Sequence, residues 1–180
     1  SRPKFWSKFK REEQNYFVLT LHRQSNVDTI VHLKMLIATI SGALEGFVCV
    51  FPVHPRTAKV LDRLELPRNI IAVEPQPYLQ FNYLIKDAKG VITDSGGVTE
   101  EATVLDVPCI TLRENTERPE TVTLGTNKLV GNDPRLLRSA IGDVIAGSIK
   151  QGTVPPLWDG KAGKRIVEVI AQEILISAYN

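Results

Sequence analysis

Short apolar runs recur along the chain, and polar residues, glycine or proline follow each of them. The runs lie at 16–21, 47–51, 70–73, 90–92 and 109–112. A continuous apolar run bounded by turn residues is typical of a strand that is buried on both faces, as in a parallel sheet. The pattern therefore predicts a core strand at each of these positions.

Stretches with helical spacing of apolar residues lie between these runs. Asn26 or Asp28 can begin a helix whose apolar positions repeat with a helical period as far as Leu44. Shorter helices are predicted at 57–64, at 78–88 and after Gly97. Because strands alternate with helices at these spacings, we expect an α/β domain with a doubly wound parallel sheet.

The second half of the chain has a less regular pattern. Residues 113–121 form a polar, charge-dense loop, and short strands are predicted at 122–124 and 129–130. A helix is predicted at 134–146 with Asp133 as its cap, and a final amphipathic helix opens at Asp159.

Two adjacent glycines follow the fourth apolar run. Gly96 and Gly97 can take positive φ angles and let a ligand approach the backbone more closely than a side chain would allow. The N–H groups that open the next helix, with Ser95 as its N-cap, favour an anion such as a phosphate. Glu101 lies one turn beyond Gly97, where its carboxylate can accept hydrogen bonds from sugar hydroxyls, and Glu100 is an alternative on spacing alone. A purely structural turn capped by Ser95 is the competing interpretation.

Polar side chains, most of them basic or imidazole, directly follow four of the predicted strands. The carboxyl ends of parallel strands meet at one edge of the sheet, where open α/β folds bind ligands, so we expect these side chains to share a crevice. Their positive charge suits a pyrophosphate-bearing ligand. The set comprises His22, Arg23, His54, Arg56, Ser95, Arg113 and Arg118.

Structural explanations compete with this functional one. His22 and Arg23 are candidates for binding a diphosphate, with the arginine as a bidentate partner, but they fit a surface loop equally well. Pro55, directly after His54, suits the first position of a helix. Phe81 lies among apolar residues of a predicted helix, so core packing is its default role and stacking on a base is the alternative.

Composition narrows the classes of function. The chain has 180 residues, of which 43% are hydrophobic and 23% charged, and a formal net charge of +2. With so small a charge and no long apolar run, we expect neither nucleic acid nor a membrane as a partner. Cys49 and Cys109 lie inside apolar runs, which favours a reducing, cytoplasmic location. Metal-ligand spacing, a P-loop and a dinucleotide fingerprint are all lacking, so no metal or cofactor is expected.

Four separated motifs occur together in one known order. They are Thr-Leu-His-Arg at 20–23, Pro-Val-His-Pro at 52–55, Asp-Ser-Gly-Gly-Val-Thr-Glu-Glu-Ala at 94–102 and Arg-Glu-Asn-Thr-Glu-Arg-Pro-Glu at 113–120. Over residues 16–176 the chain resembles the non-hydrolysing UDP-N-acetylglucosamine 2-epimerases. The resemblance implies two Rossmann-like domains in a GT-B-type fold. Residues 15–180 would be the C-terminal, UDP-binding domain, residues 1–14 a linker, and the N-terminal catalytic half would lie outside this chain.

The resemblance also implies roles for individual residues. Ser95, Gly96 and Gly97 would hold the UDP phosphates, and Glu101 would bind the ribose hydroxyls. His22 would assist departure of the diphosphate, Phe81 would pack on uracil, and Arg23 would contact the substrate. Arg118 and His54 would line the sugar or a nearby regulatory sugar-nucleotide site. The family's reaction inverts C2 of the sugar and interconverts UDP-GlcNAc and UDP-ManNAc by elimination and re-addition of UDP.

Two positions depart from the family's usual pattern, which often has Glu where Ser25 stands and Gln where Thr99 stands. The carboxylates that move the C2 proton belong to the family's N-terminal half. This chain alone is therefore expected to bind UDP or a UDP-N-acetylhexosamine but to turn over poorly or not at all. The resemblance further implies a homodimer. The alternatives are a hydrolysing epimerase, a UDP-sugar-dependent glycosyltransferase of the same fold and a non-catalytic UDP-sugar-binding module.

Overall fold

A parallel six-stranded sheet forms the centre of the computed structural model, which describes Pro3 and residues 16–178. Its strands are β1 Tyr16–Thr20, β2 Val48–Pro52, β3 Ile70–Val73, β4 Gly90–Thr93, β5 Cys109–Thr111 and β6 Asn127–Leu129. They lie side by side in the order β3-β2-β1-β4-β5-β6. All predicted core strands are confirmed, and this order is that of a Rossmann-like doubly wound fold. The proposed linker at 1–14 lies outside the described residues apart from Pro3.

Helices connect these strands and cover both faces of the sheet. They are α1 Gln24–Val27, α2 Ile30–Ala43, α3 Pro55–Leu61, α4 Tyr78–Lys86, α5 Gly96–Val104, α6 Pro119–Thr123, α7 Pro134–Ala146 and α8 Ala162–Ala178. The predicted cap of α7 is confirmed, because the Asp133 side chain accepts a hydrogen bond from the backbone N–H of Arg135. Within the described residues, none of these helices has both the length and the apolar character that a membrane crossing requires.

Two predicted elements differ most from the structure, and others are shifted by a few residues, such as β6, which was predicted at 129–130. The first long helix begins at Ile30, after Thr29 at the N-cap, because Asn26 is buried and directs its amide toward Asp94 instead of capping a helix. The predicted strand at 122–124 is wrong, since these residues lie in and directly after α6. There the hydroxyl of Thr121 donates to the carbonyl of Arg118, and that of Thr123 donates to the carbonyl of Pro119.

The sheet separates two hydrophobic clusters. Alternate residues of β1 point to opposite faces, so Phe17 and Leu19 join the cluster beneath α2 and α7, whereas Tyr16 and Val18 join the cluster beneath α4 and α5. Burial of β1 on both faces explains its continuous apolar sequence. Because β1 and β4 pair in parallel, the two loops that leave these strands lie at the same edge of the sheet.

The final helix and the cysteines complete the comparison with the sequence. The predicted final helix is present but begins at Ala162 and not at Asp159, and Ile166, Val169 and Ile170 on its apolar side remain more than half exposed in the described chain. Cys49 and Cys109 are free thiols that lie fully buried in the core, as their apolar surroundings in the sequence indicated.

Candidate functional site

The candidate site lies where the strand order reverses, between β1 and β4. The connection from β1 runs toward β2, and the connection from β4 runs toward β5, so a crevice opens between the two loops. Thr20 and Thr93 end these strands in register, and their hydroxyl oxygens are 2.7 Å apart. The loop after Thr20 carries His22 and Arg23, and the loop after Thr93 carries Ser95. The fold therefore brings these sequence-predicted residues together.

Asp94 holds the two loops against each other. Its carboxylate is fully buried and accepts hydrogen bonds from the backbone N–H groups of His22 and Arg23 at 3.0–3.1 Å. It also accepts from the Asn26 side chain at 3.0 Å and lies 2.9 Å from Nδ1 of His22. In return, Nε of Arg23 donates to the carbonyl oxygen of Asp94 at 2.9 Å. One carboxylate thus fixes the backbone of the β1 loop.

The same contacts keep Asp94 ionised. Burial alone would raise the pKa of its carboxyl group, but the hydrogen bonds from His22, Arg23 and Asn26 outweigh burial and lower the pKa. Neither Asp94 nor Asn26 was singled out from the sequence as a site residue. The sequence carried one signal for Asp94, because this carboxylate lies directly between a buried strand and a glycine turn. A charge at the end of a buried strand needs hydrogen-bond partners.

The glycine turn has a different geometry from the predicted one. Gly96 and Gly97 are the first two residues of α5, and neither takes the positive φ that glycine permits. Ser95 occupies the N-cap position as predicted, but its hydroxyl makes no capping hydrogen bond. What the glycines provide is space: no heavy atom lies within 4 Å of a Cβ built on Gly97. The surface beside Gly97 is therefore open, and the first N–H groups of a helix favour an anion.

A cavity of about 300 Å³ opens in front of this turn. Its wall includes His22, His54, Phe81 and Ser95, which the sequence assigned to one site from three different loops and a helix. The rings of His22 and His54 lie 5.5 Å apart, centroid to centroid. Phe81 packs against the core, which is its default role, and it also lines the cavity.

His54 has a second role as the N-cap of α3. Its Nδ1 accepts a hydrogen bond from the backbone N–H of Arg56 at 3.1 Å. Pro55 occupies the first helical position, as the structural interpretation of this motif predicted. The helix therefore begins two residues earlier than predicted. Arg56 is exposed and does not line the cavity.

A second cavity of about 540 Å³ continues along the groove between α4 and α5. Gly97, Glu100, Glu101, Tyr78 and Asn82 contribute to its wall. Partial burial raises the pKa of Glu101, a hydrogen bond from Asn82 lowers it, and the negative charge of Glu100 raises it further, with a net upward shift. Glu101 is thus a half-buried carboxyl group on the same groove as the glycine turn.

The remaining predicted cations are engaged by carboxylates. The guanidinium of Arg113, which is largely buried, makes two hydrogen bonds to Glu117 at 2.7 and 2.9 Å, and this pairing lowers the pKa of Glu117 to about 2. Arg118 pairs with Glu100 at 2.5 Å, which sets it beside the second cavity and not in the first. The expected concentration of positive charge in one crevice is therefore partly neutralised.

Comparison with known proteins gives a consistent family. The family model for UDP-N-acetylglucosamine 2-epimerase matches residues 2–171. The UDP-N-acetylglucosamine 2-epimerase of Methanocaldococcus jannaschii is 43% identical over 166 residues, which are 88% of this chain and 45% of that protein.

Solved structures share the fold. The crystal structure of Methanocaldococcus jannaschii UDP-GlcNAc 2-epimerase in complex with UDP-GlcNAc and UDP superposes with a TM-score of 0.81 at 40% identity, covering 96% of this chain and 49% of that one. An E. coli heptosyltransferase, WaaC, shares only the fold, with a TM-score of 0.54 at 18% identity over 82% of this chain and 45% of its own. The chain spans about half the length of the relatives it matches. It belongs to the UDP-N-acetylglucosamine 2-epimerase family.

Proposed function

We propose that the native protein is a UDP-N-acetylglucosamine 2-epimerase and that residues 15–180 are its UDP-binding domain. The observation that carries the proposal is the first cavity, which joins His22, His54, Phe81 and Ser95 at the point where the strand order reverses. Ligands of doubly wound folds bind at this point. Family membership and the ligands of the Methanocaldococcus jannaschii structure support the choice of UDP and a UDP-N-acetylhexosamine.

In this proposal the diphosphate sits at the N-terminus of α5. The first N–H groups of the helix point toward it, and the helix dipole favours its negative charge. Ser95 adds a hydroxyl donor, and Gly97 leaves room for phosphate oxygens against the backbone. His22 and Arg23 approach from the β1 loop, which Asp94 holds in place.

The nucleoside follows the groove between α4 and α5. The exposed part of the Phe81 ring offers a flat apolar surface for uracil. Glu101 lines the adjoining cavity, where its carboxylate accepts hydrogen bonds from the ribose hydroxyls. His54 lines the first cavity and Arg118 lies beside the second, and we assign them to the sugar or to a second sugar nucleotide.

These contacts suit a reaction in which UDP leaves and returns. Removal of the C2 proton and cleavage of the C1–O bond would give a glycal and UDP, and re-addition with protonation on the opposite face of C2 gives the epimer. The protein must therefore hold UDP while the sugar is detached. His22 would donate a proton or hydrogen bond to the departing phosphate. The groups that move the C2 proton are assigned to the part of the protein beyond this chain.

Calorimetric titration of the purified chain with UDP tests the nucleotide site. We expect saturable binding that weakens in Ser95→Ala and in Glu101→Ala. Ser148→Ala and Glu45→Ala are matched controls, because both residues are exposed and neither lines the first or the second cavity. Loss of binding in the controls as well, or wild-type affinity in both site variants, would contradict the assignment of UDP to this groove.

The reaction itself is tested on the full-length protein. UDP-ManNAc formed from UDP-GlcNAc supports the proposal, whereas release of free ManNAc would indicate a hydrolysing epimerase and transfer of the sugar to an acceptor a glycosyltransferase. We expect the present chain alone to produce little or no UDP-ManNAc.

Location and assembly are further parts of the proposal. The two buried free thiols support a reducing compartment, and we assign the protein to the cytoplasm. Homodimer formation is expected from the family resemblance, and light scattering of the full-length protein measures it directly.

A further inference from the structure

The contact between His22 and Asp94 determines which ring nitrogen carries the proton. Nδ1 of His22 lies 2.9 Å from a carboxylate oxygen of Asp94. An ionised carboxylate can only accept hydrogen bonds, so Nδ1 must be the donor. The Asp94 side chain is fully buried and receives further bonds from two backbone N–H groups and from Asn26, which prevents it from turning away.

His54, which also lines the cavity, has the opposite arrangement. Its Nδ1 accepts a hydrogen bond from the backbone N–H of Arg56 at 3.1 Å. In a neutral imidazole one nitrogen donates and the other accepts, so the proton of neutral His54 lies on Nε2. The two rings are 5.5 Å apart between centroids and are inclined by 42°. Two independent contacts therefore set neighbouring histidines in opposite tautomers.

We propose that Asp94 is a positioning residue for His22: it fixes the Nδ1–H tautomer and leaves Nε2 of His22 facing the cavity, opposite the Nε2–H of His54. This inference deepens the proposed function and rests on it for its catalytic meaning. His22 is then the ring that can take up a proton at Nε2 and pass it to a departing phosphate oxygen, with the imidazolium stabilised by Asp94. Neutral His54 presents only a hydrogen-bond donor at its Nε2.

Nitrogen chemical shifts of the histidine rings test the tautomers in the unmodified chain. We expect a protonated Nδ1 and an unprotonated Nε2 for neutral His22, and the reverse for His54. His22→Gln and His54→Gln assign the signals by their disappearance and separate them from those of His32. An Nε2–H tautomer at His22, or a mixture of its two tautomers, would overturn the proposal whether or not UDP binds.

A double-mutant cycle then tests whether Asp94 acts through His22. Asp94→Asn keeps the side-chain shape but removes the charge, and we expect it to weaken UDP binding by about tenfold, the size of one charge-assisted hydrogen bond. In the His22→Gln background the same change should cost less than about twofold. Equal losses in both backgrounds would refute the positioning role and assign Asp94 to loop structure alone. Asp143→Asn, at a half-buried carboxylate paired with Lys128, is the matched control.

The two measurements separate this inference from the proposed function. If the wild-type chain does not bind UDP, the assignment of the nucleotide site fails. The tautomer of the His22 ring still tests whether Asp94 fixes the proton on Nδ1. If Asp94→Asn does not fold, the nitrogen chemical shifts of His22 in the wild-type chain test the proposal.

Discussion

Gly97 is a position where one mutation should affect folding and ligand binding in opposite directions. It is the second residue of α5, it is exposed, and its φ lies outside the left-handed region. No heavy atom lies within 4 Å of the place that a Cβ would take. Gly97→Ala should therefore stabilise the free chain by about 0.5–1 kcal/mol, because alanine loses less conformational freedom on folding. For a chain of this size that corresponds to a rise in Tm of about 1–4 °C.

The same methyl group would obstruct the proposed phosphate position. A phosphate oxygen that reaches the first N–H groups of α5 passes the Cα of Gly97, and the added methyl group occupies that space. Loss of one charge-assisted hydrogen bond weakens binding by about 1.5–3 kcal/mol, so we expect the affinity for UDP to fall by about tenfold or more.

Thermal unfolding and calorimetric titration measure the two effects separately. Gly142→Ala in α7 is the matched control, since Gly142 is also exposed, helical and free of heavy atoms around its Cβ position. It should raise the Tm by a similar amount and leave UDP binding unchanged. A Gly97→Ala chain that is stabilised yet binds UDP as tightly as the wild type would refute the placement of phosphate at the start of α5.

Three further predictions concern titration and packing. Hydrogen bonds hold the pKa of Asp94 below its ordinary value of 3.8, so its contribution to stability is present above about pH 4 and is lost as the pH falls through the folded-state pKa. Asp94→Asn should therefore lower the free energy of unfolding at neutral pH and lower it less as the pH falls, which acid unfolding followed by circular dichroism measures. A loss of stability that does not change with pH would contradict this. Burial raises the pKa of Glu101 above 4.5, so UDP affinity should decline on acidification as this carboxylate protonates, and calorimetry on Glu101→Gln should show no such decline from that group. Gly90→Ala would place a Cβ 2.9 Å from the Phe17 ring and 3.0 Å from Val144, which should destabilise the chain by about 1–3 kcal/mol in urea unfolding, and unchanged stability would show that the core yields at this point.

The centre of the sheet could be predicted from the sequence because its strands are buried on both faces. Phe17 and Val18 face opposite clusters, and both must be apolar, so the run has no polar interruption. The prediction of a strand at 122–124 failed because local hydrogen bonds favour a helix there. Val122 and Thr123 favour β-structure by their branched side chains, but hydroxyl-to-carbonyl bonds and the proline that opens α6 decide for a helix.

The sequence predicted which candidate residues lie together better than it predicted their conformation. Ser95 and the glycines were found because a strand, two glycines and a helix form a contiguous pattern. Their conformation could not be predicted, since adjacent glycines permit a positive φ without requiring it. In the structure neither glycine has a positive φ, and Gly97 supplies open space. Asp94 was missed as an organising residue because its hydrogen-bond partners lie about 70 residues away and leave no local signature.

The sheet order has a consequence for how the protein folds. Strand β1 pairs with β2 on one side, but its other neighbour is β4, and Asp94 at the end of β4 contacts His22 across a separation of 72 residues. During synthesis, β1, β2 and β3 can associate while the opposite edge of β1 is still bare. The crevice cannot exist at that stage, because one of its walls has not yet been made. Closing so long a chain segment costs entropy before any contact repays it, so this pairing is a slow, late event. The acquisition of ligand-binding ability would therefore mark completion of the central sheet.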